Sequence, residues 1–240
     1  MTARPLEAKL LTVVVAKEPI PGKVKTRLSP HLSPEEAASL YRCFLEDKIG
    51  EISTLTGIDR AIAFTPENAG DTFAALSING FEIFAQRGNN LGERLHNIFL
   101  EKLAQGYEAV SIIDSDSPDL PKTMVAESFR LLLSNQADVV FGPCYDGGYY
   151  LVGMKKPHPE LFHDIPWSTE DVLSVSLEKA RKIGIKTGLL ARWNDVDTFE
   201  DLRKFYEKYK YRSSEKQWAG KKTIAFLSRL ERINKCVLSK

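Results

Sequence analysis

Cysteine is scarce in this chain of 240 residues: Cys43, Cys144 and Cys236 are odd in number, far apart and never arranged as Cys-x-x-Cys. That argues against a disulfide framework and against a zinc knuckle, and isolated thiols suit a reducing, cytoplasmic setting. Long apolar runs are missing too, and no stretch approaches the ~20 residues that cross a bilayer as a helix. The run Leu10–Ala16 behind Arg4 and Lys9 imitates a secretion signal, but Lys17-Glu18-Pro19 follows it where small cleavage-site residues would stand. An excess of one charge is lacking: 33 Lys and Arg face 32 Asp and Glu, so the net charge of +1 exerts no general pull on nucleic acid. Neither GxxxxGK[ST] nor GxGxxG occurs, which removes two common phosphate-binding loops. Internal repeats and low-complexity tracts are absent as well.

What is present fits a soluble α/β protein. A chain of this length can bury roughly 70–75% of its unfolded surface in one domain, with or without an appendage. Its charge is uneven, because Arg203–Lys240 holds 12 basic and 3 acidic residues while the remainder is acidic. The segment reads as a solvated helical tail, suited to an acidic face of its own domain or of a neighbour. The division expected is therefore residues 1–212 as the main domain and 213–240 as a basic helical tail, with 213–220 a polar linker and 221–235 one amphipathic helix.

Apolar runs and capping patterns outline the elements. Leu10–Ala16 is short, unbroken and β-branched, as in a strand buried on both faces. Further strands are expected at 59–64, 81–85, 109–113, 138–141, 149–152 and 186–190. Ser33-Pro34-Glu35-Glu36 combines an N-cap, a Pro at the first helical position and a Glu at the third, and opens a helix with a stripe through Ala37, Leu40, Tyr41, Phe44 and Ile52. Other helices are expected near 71–76, over 91–104, 122–133 and 169–183 (capped by Ser168), and after the cap at Thr198. Alternating strands and helices imply a mostly parallel sheet with helices on its faces.

Several polar segments each follow an apolar run, so a parallel sheet would gather them at one edge. Lys17-Glu-Pro-Ile-Pro-Gly-Lys-Val-Lys-Thr-Arg-Leu28 offers three lysines and an arginine around Gly22, suited to the phosphates of a nucleotide or simply to a solvated turn. Asp114-Ser-Asp-Ser-Pro-Asp-Leu120 sets three acids at a strand end. Acids without His point to a hard cation, Mg²⁺ or Mn²⁺, with Asp116 favoured as a ligand. Asp119 or Ser117 is expected to cap the next helix. In Trp193-Asn-Asp-Val-Asp-Thr198, one of Asp195 and Asp197 is expected to face the cleft and complete the metal site. Asp146-Gly147-Gly148 suits either a hairpin turn or a close approach to ligand. Gln86 beside Gly88 could read a base edge, although Asn90 is also a natural helix cap. Trp167, ahead of a helix, suits stacking on a ring or ordinary burial.

Taken in order, the six blocks beginning at Lys17, Gln86, Asp116, Gly142, Pro166 and Asp195 resemble the nucleotide-diphospho-sugar transferase superfamily. More closely, they resemble its branch of radical-SAM/selenodomain-associated transferases, related to the 2-phospholactate guanylyltransferases. The resemblance covers about residues 9 to 210 and implies a GT-A, Rossmann-like three-layer α/β/α domain. It also implies a metal-dependent transferase with a nucleotide donor, acting by glycosyl transfer from an NDP-sugar or nucleotidyl transfer from an NTP to a small-molecule acceptor. Carried over, Ala16, Lys17, Gly22, Lys25, Arg27, Gln86 and Gly88 would hold the nucleotide, with Lys25 and Arg27 on its phosphates. Asp116 and Asp195 would bind Mg²⁺ or Mn²⁺, and Asp146, Gly147, Gly148, Tyr149 and Trp167 would line the acceptor side. Asp146 is a conceivable general base, and Lys25, Arg27, Asp116 and Asp146 form the catalytic set. Asp114 stands where relatives usually carry Gly, which makes an Asp-x-Asp sequence and leaves its contact with metal open. A non-catalytic nucleotide-binding or assembly module on the same fold is the rival reading. Nucleic acid is not expected as a partner, and a homo-oligomer remains open.

Overall fold

The computed structural model describes residues 8–29, 31–76, 80–212 and 219–234. In chain order the elements are β1 (Leu10–Lys17), α1 (Pro34–Ile52), β2 (Asp59–Thr65), α2 (Gly70–Ala74), β3 (Phe81–Ala85), α3 (Leu91–Ala104) and β4 (Ala109–Ile113). They continue with α4 (Lys122–Leu133), β5 (Val139–Pro143), β6 (Tyr149–Met154), α5 (Val172–Lys182), β7 (Thr187–Leu189), α6 (Phe199–Tyr209) and α7 (Lys221–Asn234). The seven strands form one sheet in the order β3-β2-β1-β4-β6-β5-β7. Every pairing is parallel except the two made by β6. From β1 the chain moves outward through β2 and β3, then returns to place β4 on the opposite side of β1. This reversal opens a crevice at the carboxyl ends of β1 and β4.

Period-two alternation divides the core. Leu11 and Val13 of β1 join Val110 and Ile112 of β4 under α3 and α5, while Val14, Ala16 and Ile113 face the side of α1, α4 and α6. The sheet is thereby covered on both faces, in three layers. α7 lies on the second side, where Ile224 and Leu227 are buried in the same core as Leu40 and Phe44 of α1. The segment 213–218 of the expected linker and residues 235–240, with Cys236, lie outside the described residues.

The capping boxes occur as expected. Ser33 accepts from the Glu36 N–H at 3.2 Å and donates its own N–H to the Glu36 carboxylate, and Thr198 and Asp201 make the same reciprocal pair. Asn90 caps α3 by accepting the Glu93 N–H at 2.9 Å. Two expectations are corrected. The fifth helix begins at Val172, not Thr169, because Ser168 takes a φ of +69° and Thr169 turns its hydroxyl back onto the Pro166 carbonyl. Neither Asp119 nor Ser117 caps α4, whose N-cap is Pro121. Asp119 instead accepts from the Trp193 indole at 3.0 Å and the Tyr209 hydroxyl at 2.7 Å, and Ser117 donates to Asp114.

Candidate active site

The crevice at the β1/β4 reversal is a cleft of about 680 Å³. Ala16 and Lys17 at the tip of β1, Lys25 and Arg27 of the basic loop, Gln86 after β3, Asp114 and Asp116 after β4, Asp146, Gly148 and Tyr149 at the β5–β6 hairpin, and Trp167, Asp195 and Asp197 all line it. Gly88 lines an adjoining recess of about 750 Å³ that shares Lys17, Lys23, Gln86 and Arg94 with the cleft. Gly22 and Gly147 line neither hollow.

Lys25 is not a free cation. Its ammonium lies 2.6 Å from Asp116 and 2.8 Å from Asp197, and it donates to the Val196 carbonyl at 2.8 Å. The side chain is 3% exposed, and the two carboxylates hold its pKa above the ordinary lysine value against the opposing effect of burial. The residue adopts left-handed backbone, with φ at +48°, a conformation that costs a non-glycine residue about 1 kcal/mol or more. The ion pairs therefore fasten the basic loop to the two acidic segments. Lys17, Lys23 and Arg27 are exposed and make no ion pair among the described residues, so their charges are available to a ligand.

The residues that brace this arrangement belong to α1 and to no site motif of the sequence. Tyr41 of α1 accepts the Lys17 N–H at 3.0 Å and shares a 2.7 Å hydrogen bond with Ser115, tying the ends of β1 and β4 together. Lys48, seven residues on and fully buried, points its ammonium at Asp114 from 3.5 Å. Burial pushes the Lys48 pKa down and the Asp114 pKa up. Asp114 is thus turned toward Lys48 and Ser117. A lysine inside the apolar stripe of α1 was the available signal.

Asp195 and Asp197 both line the cleft, where only one was expected to. Residues two apart on an extended segment share a face, and Val196 between them is the buried one, its N–H donating to the Asp116 carbonyl at 3.0 Å. Lys25 and the neighbouring positive charges hold the Asp197 carboxyl below its ordinary value against burial. Asp195 behaves oppositely. Burial, with Asp146, Asp197 and Asp114 nearby, pushes its carboxyl up to about 7. Ligand atoms of Asp195, Asp146 and Cys144 all lie within 4.8 Å of one another. Among the described residues no lysine pairs with Asp146 or Asp195, and two carboxylates grouped with a thiol in this way fit a divalent cation.

Gln86 donates its amide to the Ala63 carbonyl at 2.7 Å and more distantly to that of Ala16, leaving its side-chain oxygen for a ligand. At Gly88, with φ at +136°, a Cβ would come within 3.0 Å of Glu93 and Arg94. Asp146 accepts the Gly148 N–H at 2.9 Å, so this segment is a hairpin turn as well as part of the cleft wall. Gly147, with φ at +92°, packs against the Glu170 backbone and accepts the Leu173 N–H at 2.9 Å. A Cβ there would sit 2.0 Å from the Glu170 carbonyl oxygen. Gly147→Ala should therefore destabilise the protein by about 2–3 kcal/mol, through strain plus overpacking. Urea unfolding checks this, and a loss below about 0.5 kcal/mol would show that the 170–173 turn yields freely. Tyr149 meets Trp167 edge-on, with ring centroids 6.3 Å apart, and both line the cleft.

The comparisons with known proteins agree with this architecture. Residues 48–169 match the family described as "Uncharacterized protein conserved in bacteria (DUF2064)". A crystal structure from Desulfovibrio desulfuricans G20, described as a nucleotide-diphospho-sugar transferase, is 33% identical. It superposes with a TM-score of 0.84 over 95% of this chain and 97% of that one. The 2-phospho-L-lactate guanylyltransferase of Methanothermobacter thermautotrophicus is 29% identical over 74% of this chain and 76% of its own. A cytidylyltransferase of Leptospira borgpetersenii, 13% identical, shares the fold with a TM-score of 0.55 over 97% and 98% of the two chains. The chain belongs to the DUF2064 family and is a transferase built on the nucleotide-diphospho-sugar transferase fold.

Proposed function

We propose that this protein is a nucleotidyltransferase. An oxygen of a small phosphorylated acceptor attacks the α-phosphorus of a nucleoside triphosphate, the bond from that phosphorus to the bridging oxygen breaks, and pyrophosphate leaves. The observation that carries this reading is the pairing of Lys17, Lys23 and Arg27, three exposed cations without an ion pair among the described residues, with a carboxylate cluster in one cleft at the sheet reversal. Three free cations suit the charge of a triphosphate chain, and Lys25 holds their loop against Asp116 and Asp197. Gln86 and Gly88 in the adjoining recess would receive the base. Asp146, Gly148, Tyr149 and Trp167 would receive the acceptor, with Gly147 supporting their turn.

Asp195 and Asp146 would hold a divalent cation, which when bound neutralises charge on the transferred phosphate. Asp116 contributes through Lys25, and Asp114 is directed to Lys48. That last placement weakens glycosyl transfer, because the Asp-x-Asp sequence does not present two free carboxylates to one metal. The likeness to a guanylyltransferase makes GTP the first donor to try. The cell compartment expected is the cytoplasm, and among the described residues no helix is long and apolar enough to cross a membrane.

Thermal unfolding against the four NTPs and common NDP-sugars, with a divalent cation or with EDTA, tests the reading. A triphosphate at a hundred times its Kd should add about 2.7 kcal/mol, raising Tm by roughly 5–10 °C, and only with the cation. Pyrophosphate release on adding a phosphorylated acceptor should follow. A shift with an NDP-sugar but with no triphosphate would replace this reading by glycosyl transfer.

A further inference from the structure

We infer that Cys144, Asp146 and Asp195 form a thiol-containing cation site that takes Zn²⁺ in preference to Mg²⁺. The inference deepens the proposed reading and rests on it for the cation's role, though not for the cation's binding. Its donors come from three segments locked together by backbone. Cys144 directly follows β5, its N–H donates to the Gly148 carbonyl at 3.0 Å, and it bridges in parallel to Trp193, whose N–H donates to Pro143 at 3.0 Å. This pairing brings Asp195 alongside the hairpin that carries Asp146. The three ligand atoms fall within 4.8 Å of one another without Asp116, which Lys25 occupies.

The thiol distinguishes this group from a pair of surface acids. Cys144 is 4% exposed, lines the cleft, and its sulfur has no hydrogen-bond partner among the described residues. A small apolar residue would fill that place equally well if packing were its only task. Tetrahedral Zn²⁺, with bonds of about 2.3 Å to sulfur and 2.0–2.2 Å to oxygen, needs donors about 3.3–3.7 Å apart, a small contraction of the observed cluster. A fourth position stays open toward the cleft. Mg²⁺ prefers an octahedron of oxygens and gains nothing from sulfur, so the thiol sets the preference. On binding, the Cys144 S–H bond breaks, the proton passes to solvent and the thiolate electron pair forms the bond to the cation.

The test uses the full chain with Co²⁺ as a spectroscopic stand-in for Zn²⁺. One equivalent of Co²⁺ should produce a sulfur-to-cobalt charge-transfer band in the near ultraviolet. The band should vanish in Cys144→Ser, persist in Cys43→Ser, and be bleached by equimolar Zn²⁺ but not by a hundredfold excess of Mg²⁺. Asp195→Asn should weaken Co²⁺ binding at least tenfold with the band retained at saturation, a readout that stands even if Cys144→Ser fails to fold. No band at saturating Co²⁺, or a band that survives Cys144→Ser, overturns the inference. The nucleotide shift is read in parallel. A band without any nucleotide shift sinks the nucleotidyl-transfer reading and leaves this site standing, whereas a Mg²⁺-dependent nucleotide shift without a band does the reverse.

Discussion

Lys25→Met should lower the unfolding free energy by about 2–3 kcal/mol at low ionic strength and reduce Tm by roughly 5–10 °C. The substitution keeps the length of the side chain and removes its charge. Asp116 and Asp197, both within 2.8 Å of that ammonium, are then left facing each other, and the Val196 carbonyl loses its donor. Breaking a fully buried pair costs about 3–5 kcal/mol; the lower figure reflects carboxylates that are 42% and 37% exposed and so partly screened. Millimolar Mg²⁺ should restore part of the loss, because a divalent cation can take the ammonium's place between the two acids. Lys25→Gly separates charge from backbone: it relieves the left-handed strain at φ +48° yet should still be destabilised. The triphosphate affinity proposed for the cleft should fall at least tenfold in both variants, since the loop carrying Lys23 and Arg27 loses its anchor. A Tm within 1 °C of the parent for Lys25→Met would show that the loop is held by something else.

Asp47→Ala should detach α7. Asp47, 6% exposed on α1, accepts the Lys222 and Thr223 N–H groups at 2.8 Å each and the Thr223 hydroxyl at 2.7 Å. It thus serves as the N-cap of a helix 175 residues away in sequence, and its charge also suits the positive end of that helix. Losing three bonds to a buried carboxylate is expected to cost about 3 kcal/mol, and Tm should fall by roughly 6–12 °C. Local opening should be larger than global: hydrogen exchange across 221–234 should accelerate about a hundredfold, as Ile224 and Leu227 lose their place against α1. If those amides keep their protection, the apolar contacts alone hold the helix.

Most of the element map was readable in advance, for local reasons. β1, β2 and β4 are mostly apolar and bounded by polar residues, and α1, α3 and α6 announce themselves through Ser33, Asn90 and Thr198, whose caps involve partners three residues away. α5 starts later than its sequence implies because a left-handed Ser168 and the Thr169 turn delay it, and a serine ahead of an apolar stripe gives no sign of that. Asp119 looked like a cap because nearby sequence offered nothing better. Its partners, Trp193 and Tyr209, stand 74 and 90 residues away.

The cleft divides along the same line. Strand ends followed by Gly, Asp and Lys are a local pattern, and a parallel sheet necessarily collects such ends at one edge, so its residue membership could be read from the chain. Charge pairing could not. Which carboxylate meets Lys25, that Lys48 answers Asp114, and that Cys144 stands beside Asp146 and Asp195 depend on separations of a few ångströms between segments far apart in sequence. The basic tail shows the difference most plainly. Its helical period and its charge are written in residues 221–235, but its place on α1 rests on buried Ile224 and Leu227 and on Asp47, because only the folded chain brings that carboxylate to the orphan N–H groups of α7.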